Sequence, residues 1–568
     1  MIARGALLLS GSAAALFCVL AFAGCDGSDE RTDDSPKPDE TPKPDERPVQ
    51  TDPAPDPAAA VLTPEQFDKG KFIYFNTCAG CHGTLRGGAT GPELSPEKIA
   101  KLGKDYVKKI LNQGTPQGMP SWGAQGVLSP VEISLMADYL SVAPPQPPMM
   151  NRKQMEETWQ VLVPPDKRPA APAHSRNWEN FFGVILRDAG KVAIIDGDTK
   201  ERVALIDSGF AVHILRSSAS GRYFYSIGRD AKVTLIDLWM DPPQEVARIK
   251  VGYDARSIEV SKYKGPEGDF EDRFAVVGCY WPPHMVVLDG LTLQPRKVVS
   301  TSGYTYDTEE PLVEARVASI VASHHSPSWI VCVKELGYVW MVDYSDVENL
   351  RITQIEAERF LHDGGWDSTK RYFLVAANMR NTVCVIDAKE QKLVARVEVG
   401  IKPHPGRGAN FVDPEFGPVW GTVHLGSPDL CLIGTDPEGH PEHAFKNVRT
   451  LPLLSGGSLF LKTHPESKHL WADHVLNSDL AIARKILVWD RTDFSKEPRE
   501  IQVADHGRVV HFEYDKSGKE VWVSVWDQQG EIVVYDDETL EEKCRIRGDW
   551  LRTPTGKFNV YNTAHDVY

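Results

Sequence analysis

From about residue 177 onward the chain repeats one local pattern: a short apolar run ends in Asp and a turn follows. The marker residues are Asp196, Asp237, Asp289, Asp343, Asp387, Asp436, Asp490 and Asp536, separated by 41, 52, 54, 44, 49, 54 and 46 residues. Such an interval holds four short strands and their turns, which is one blade of a propeller. Eight markers therefore predict eight blades. The hydrophobic share of 41% and charged share of 25% are those of a globular protein and exclude a mostly disordered chain. With 45 Gly, 41 Pro and 14 Trp, a purely helical bundle is also excluded.

The same ruler gives a phase. Seventeen to nineteen residues after each marker stand His213, Arg256, Thr308, His362, His404, Ser455, Arg508 and Thr555. These positions are expected on the innermost strands, so the three histidines should face one axial cavity. The strand Lys557–Tyr561 must then complete a blade begun by residues 177–196, closing the ring and removing its free edges. A channel lined by His and Arg suits a second metal-containing, polyanionic macrocycle, with one His as axial ligand and arginines as carboxylate clamps. An ordinary propeller holding water or a peptide is the bland alternative.

Ahead of the repeat lie quite different segments. Residues 1–25 read as an export signal: Arg4, an apolar stretch from Ala6 to Phe22, then Ala23-Gly24-Cys25, too short and too poorly flanked for a stable span. The Ala-Gly-Cys ending is that of a bacterial lipoprotein box, departing from it at Phe22, and makes Cys25 a candidate for lipidation and membrane tethering. Residues 26–60 carry eleven acids, four bases and eight prolines without an aromatic residue. Such a stretch cannot bury a core and reads as an extended tether. The net charge of −16 argues against nucleic acid as a partner.

Residues 61–143 read as a small all-α domain. Thr63-Pro64-Glu65-Gln66 and Ser129-Pro130-Val131-Glu132 are capping boxes that start helices. Between them Cys78-Ala79-Gly80-Cys81-His82 is the C-x-x-C-H signature of covalent haem c: both thiols add to vinyl groups and the adjacent His binds iron. His82 is the only histidine in this segment, so the sixth ligand should be a methionine. Met119, in a Gly-rich loop, is preferred over Met136, which shares a helix with core residues. His/Met ligation suits electron transfer. Residues 144–176, rich in proline, read as a connector to the propeller at 177–568. The widely spaced Cys279, Cys332, Cys384, Cys431 and Cys544 are expected to be buried free thiols.

Taken together, Cys78–His82 with Met119, and the segments Arg187-Asp188-Ala189-Gly190, Ala211-Val212-His213, Phe360-Leu361-His362-Asp363-Gly364-Gly365, His404-Pro405-Gly406-Arg407-Gly408 and Thr555-Gly556-Lys557-Phe558-Asn559, resemble cytochrome cd1 nitrite reductase. The resemblance runs from about residue 70 to the last of these segments. It implies a small all-α cytochrome c domain followed by an all-β eight-bladed β-propeller, with one covalent haem c and one non-covalent haem d1. It further implies a periplasmic homodimer that takes electrons from a small cytochrome c or cupredoxin. The implied reaction reduces nitrite to nitric oxide, with oxygen reduction as a side activity. Carried over by motif, His213 is the proximal d1 ligand and His362 and His404 face the substrate. Arg187, Arg216, Arg229, Arg256, Tyr280, Arg407, Phe460 and Thr555 match positions around the macrocycle. The chain departs from the family in two places. Residues 26–73 contain no Tyr or His that could reach the oxidised d1 iron, and His511 stands where Gln is expected.

The chemistry expected at such a site is protonation of a departing oxygen. Imidazolium is the natural donor, because histidine ordinarily titrates near pH ~6.5, so positive His362 and His404 would attract the anion and then supply protons. Two rivals remain at this level: the related dehydrogenase that completes d1 biosynthesis, and a non-enzymatic d1 carrier. The paired distal histidines favour the reductase, and the haem c domain argues against a carrier.

Overall fold

The computed structural model describes residues 62–568 apart from 89, 90, 116–118, 120, 125 and 146–148. The signal, the tether and Cys25 lie outside the described residues. Among those described, no helix is long and apolar enough to cross a membrane.

The repeat becomes eight antiparallel sheets, seven of four strands and one, the second blade, with a fifth strand added at its outer edge. Seven of the Asp markers end the third strand of their blade, as Asp196 ends Lys191–Asp196 and Asp536 ends Glu531–Asp536, and Asp436 stands two residues beyond Asp429–Gly434. The recurrence has a local cause. Every marker carboxylate accepts the backbone N–H two residues on, for example Asp198 N at 2.9 Å from Asp196, Ser345 N at 2.8 Å from Asp343 and Thr492 N at 3.0 Å from Asp490. That is an Asx turn, which Asp makes better than apolar residues can. The middle strands, such as Phe181–Leu186 and Tyr372–Ala377, are buried along their whole length. Outer strands such as Arg202–Asp207 are largely open to solvent, with only Ile206 buried.

Closure follows the expectation, with the strand slightly displaced. Pro554–Asn559 is the innermost strand of the blade formed with Phe181–Leu186, Lys191–Asp196 and Arg202–Asp207. The phase rule holds unevenly. His213, Arg256, His362, Arg508 and Thr555 lie on innermost strands. Thr308 falls in an excursion ahead of Val317–Ala322, and Ser455 precedes Leu461–Lys462. His404 sits just before Ala409–Asp413, held by a bridge between Pro403 and His424. Insertions of unequal length explain the slips, since a fixed count cannot follow them.

The connector is more than a link. Gln160–Val161 pairs with the outer strand Gln244–Lys250 of the second blade, covering an edge, and Met150 and Met155 are buried in that blade's core. Cys279, Cys332, Cys384 and Cys431 are buried free thiols, while Cys544 is half-buried.

The small domain has both capping boxes, on helices Pro64–Ile73 and Pro130–Leu140. Met136 is fully buried in its core, with Met119 packed at the edge. Phe72 is exposed rather than part of that core, and its ring lies 5.9 Å from Phe210 of the propeller.

Candidate active site

The Cys78–His82 segment is one tight stretch: a π-helical turn Tyr74–Cys78 leads into Ala79–His82, and Gly83 ends it at φ +84°. His82 Nδ1 lies 2.7 Å from the Pro92 carbonyl. A carbonyl can only accept, so Nδ1 carries the proton and Nε2 keeps the lone pair a metal needs. Burial also lowers the ring's proton affinity. Gly91 permits this, because a Cβ there would sit 2.7 Å from His82 Cε1. Nearby, Arg86 donates Nη1 to the Val142 carbonyl at 2.7 Å, but its buried Nε and Nη2 have no partner. The same guanidinium lies over the Tyr139 and Tyr74 rings at 4.4 and 5.2 Å, and its two unbonded nitrogens fit a haem bearing carboxylates.

This segment docks on the fourth blade through charges that sequence reasoning missed. Glu314 accepts the backbone N–H of Leu85 at 2.9 Å and that of Thr84. Arg316, fully buried, pairs with Glu335 at 2.6 Å and reaches the carbonyls of Ala79 and Gly88 at 3.4 Å each. Its guanidinium also lies 5.1 Å from the Tyr280 ring. Arg229 and Arg256 each lie 5.8 Å from the same ring. Tyr280 thus joins the small domain's contact to the channel.

In the channel, burial and then the charges of Arg256, Arg229 and Arg187 push His213 well below the usual histidine range, which keeps it a neutral ligand-ready imidazole. His362 and His404 meet edge to face with ring centres 5.1 Å apart. Between them lies Asp363, 3.3 Å from His362 Nδ1 and 3.3 Å from His404 Nε2. His404 Nδ1 donates to the Leu459 carbonyl at 2.9 Å. Its Nε2 is therefore the nitrogen left facing Asp363. Burial would raise the Asp363 carboxyl, but contact with His362 and His404 and the charge of Arg256 outweigh that and hold it well below the usual carboxylate range.

His362 differs from the expectation. Burial and the neighbouring ammonium of Lys334 lower it to about 3, so it is neutral until an anion arrives. Sequence reasoning missed Lys334, a buried lysine itself lowered to about 7 by burial. It missed Asp363 as well, although Asp363 adjoins His362 in the quoted motif. Further rings continue the row. Phe460 stands 6.0 Å from His404 and 4.8 Å from His511, and Phe558 stands 5.4 Å from His511. His511 Nδ1 faces the Lys557 N–H at 3.4 Å, leaving its Nε2 as a donor.

The charge balance is unequal. Arg187, Arg216, Arg229, Arg256, Arg316, Arg407 and Lys334 are set against the carboxylates Asp188, Asp254, Glu259, Glu335 and Asp363. Arg229 is held by Asp254 at 2.7 Å, and Arg216 and Arg407 share Glu259 at 3.8 and 3.5 Å. Arg216 Nε is buried without a hydrogen-bond acceptor. A surplus of enclosed cations fits a polyanionic macrocycle. Thr555 is half-buried on the closing strand.

A sequence profile of the cytochrome D1 heme domain matches residues 176–563, and one of subunit III of cbb3-type cytochrome c oxidase matches residues 65–140. Nitrite reductase of Stutzerimonas stutzeri is 47% identical over 540 residues, covering 90% of this chain and 95% of that protein. The dihydro-heme d1 dehydrogenase of Pseudomonas aeruginosa is 26% identical over 501 residues, covering 87% and 94%. Among solved structures, dihydro-heme d1 dehydrogenase NirN in complex with DHE aligns with a TM-score of 0.66 at 25% identity, over 87% of this chain and all of that one.

Proposed function

Because this chain belongs to the cytochrome D1 heme-domain family, we propose that it is a respiratory nitrite reductase, with electrons entering through a haem c domain. The reaction is nitrite plus one electron and two protons to nitric oxide and water. The observation that carries it is Asp363 bridging His362 and His404 in a channel with surplus positive charge. When bound, the d1 iron supplies the electron and the position at which nitrite is held. The residues of this chain do the rest. His213 would hold the d1 iron, and His82 with Met119 would hold the c iron. Arg187, Arg216, Arg229, Arg256, Arg407, Tyr280, Phe460 and Thr555 would surround the macrocycle.

Lys334 and the arginines draw the anion in by charge. The anion's negative charge then offsets Lys334 and raises the proton affinity of His362. His404 gives up its Nε2 proton, and His362, loaded as the anion enters, gives the second. Purified protein with both haems should turn over nitrite with a reduced small donor and release nitric oxide. Oxygen consumption in the same assay measures the side activity. Conversion of dihydro-heme d1 without nitrite turnover would instead make it the dehydrogenase, the reading that the resemblance to NirN favours.

Export and lipidation at Cys25 complete this reading. Cys25→Ser should move the protein from the membrane to the periplasmic fraction with its donor-driven activity intact. Unchanged membrane association would remove the lipid anchor. A periplasmic homodimer served by a cytochrome c or a cupredoxin belongs to the same proposal, and a monomer mass by light scattering would exclude the dimer.

A further inference from the structure

A propeller is closed once its last inner strand pairs with the first blade. Here that strand ends at Asn559, yet the chain continues as a short helix, Val560–Ala564, and four more residues. These add no strand to any sheet. They nevertheless cross one end of the channel and bond to six blades in succession. Asn562 Nδ2 donates to Glu513 at 3.3 Å and to the Tyr514 carbonyl at 3.0 Å, in the eighth blade. Lys462 of the seventh donates to the Val567 carbonyl at 2.9 Å, and Asn410 N of the sixth to the Tyr568 carbonyl at 3.2 Å. Lys370 of the fifth donates to the His565 carbonyl at 2.8 Å.

The fourth and third blades grip one side chain. His324 Nε2 lies 2.9 Å from Asp566 Oδ2, and Lys262 Nζ lies 2.9 Å from each Asp566 oxygen. The Tyr568 hydroxyl donates to Asp566 at 2.9 Å. Lys262, His324 and Lys370 all follow the C-terminal ends of innermost strands, whereas Arg256 and His362 lie near the beginnings of theirs. The segment therefore covers the mouth opposite the one that meets the small domain.

A buried ion pair is seldom retained for stability alone, because desolvation offsets much of its attraction. The upper side of the segment shows what this one serves. Tyr568 is buried in the same core cluster as Val321 and Leu361, and its carbonyl accepts from Asn410 N, three residues beyond Arg407. The Arg216 and Arg407 guanidinium groups lean on Glu259. Arg407 is tethered further by the Ile320 and Gly364 carbonyls, at 3.2 Å each.

We propose that Val560–Tyr568 is a built-in stopper of the channel, locked by Asp566, whose Tyr568 forms with Glu259 the floor that holds Arg216 and Arg407 toward the acidic edge of the macrocycle. Tyr568, Glu259 and Asp566 are positioning residues in this arrangement, and Arg216 and Arg407 make the contact. The assignment rests on the d1-binding reading above. It implies that nitrite enters and product leaves at the mouth near the small domain.

The test uses the full-length protein carrying both haems. Asp566→Asn keeps the shape and loses the charge, Tyr568→Phe loses only the hydroxyl, and a third variant lacks residues 566–568. Extracted d1 is titrated into each d1-free protein, and the visible band of reduced d1 is recorded alongside haem c content. Loss of one charge-assisted contact corresponds to about tenfold in affinity. We expect Asp566→Asn to weaken d1 binding by about that factor and to shift the d1 band. The haem c band should not change, and Asp566→Glu should recover part of the loss. Parental d1 affinity and an unshifted band in both Asp566→Asn and Tyr568→Phe would overturn the proposal, whether or not the shortened chain folds. If the parental protein itself fails to bind d1 or to reduce nitrite, the functional reading fails instead. The two failures are thus separate.

Discussion

Single-turnover nitrite reduction by the fully reduced protein should slow by about 10²–10⁴-fold in His362→Ala and in His404→Ala, the scale of a lost general acid. Both variants should keep a near-normal d1 spectrum, because the proposed proximal ligand is His213. His213→Ala should instead weaken d1 binding. The two distal histidines differ in their surroundings. His404 has its Nδ1 proton committed to Leu459 and its Nε2 beside Asp363. His362 is held near 3 by burial and by Lys334. Removing a positive neighbour raises proton affinity, so Lys334→Met should move the His362 limb of the pH–rate profile to higher pH. The same change should raise KM for nitrite, since it deletes an attracting charge. Rates measured from pH 5.5 to 8 decide the matter. Parental nitric oxide formation in both Ala variants across that range would end the proton-donor assignment.

Cys81→Ala should abolish the normal c-type absorbance and with it turnover driven by an external donor, while extractable d1 remains bound. The reason is spatial separation within one chain. Cys78 and Cys81 belong to the small domain, whose hydrophobic core is its own, whereas the d1 clamps sit on the blades. The Arg316–Glu335 pair and Glu314 grip backbone atoms around the motif rather than its sulfurs, so docking should survive the substitution. Met119→Ala should retain covalent haem but lower its potential, and Met136→Leu should change little, because Met136 is a core residue. Pyridine haemochrome analysis and a potentiometric titration measure both. Two covalent haems in the parental protein, or none, would remove the domain assignment.

Much of this was legible in the sequence because the signals are local. An Asx turn needs Asp at the same place in every blade, so eight turns left eight readable markers. Capping boxes announce themselves in four residues, and C-x-x-C-H encloses its chemistry in five. The phase rule found His213, Arg256, His362, Arg508 and Thr555 for a similar reason: in those blades only one outer strand and its flanking turns separate the marker from the next inner strand. It missed at Thr308 and Ser455, where insertions precede the inner strand, and the connector's strand Gln160–Val161 gave no periodic signal in two residues.

The sequence by itself determined the number of blades, the closure of the ring by its last strand, the haem attachment motif and the identity of the paired histidines. Each of these rests on residues close together in the chain or on a repeat that can be counted. Only the tertiary structure decided how the site is charged. Lys334 reaches His362, Glu259 is shared by Arg216 and Arg407, Arg316 carries the small domain, and Asp566 is gripped by two other blades. Those pairs join residues tens to hundreds of positions apart. Proton affinity depends on distance and burial in space, and no local pattern in the chain records either.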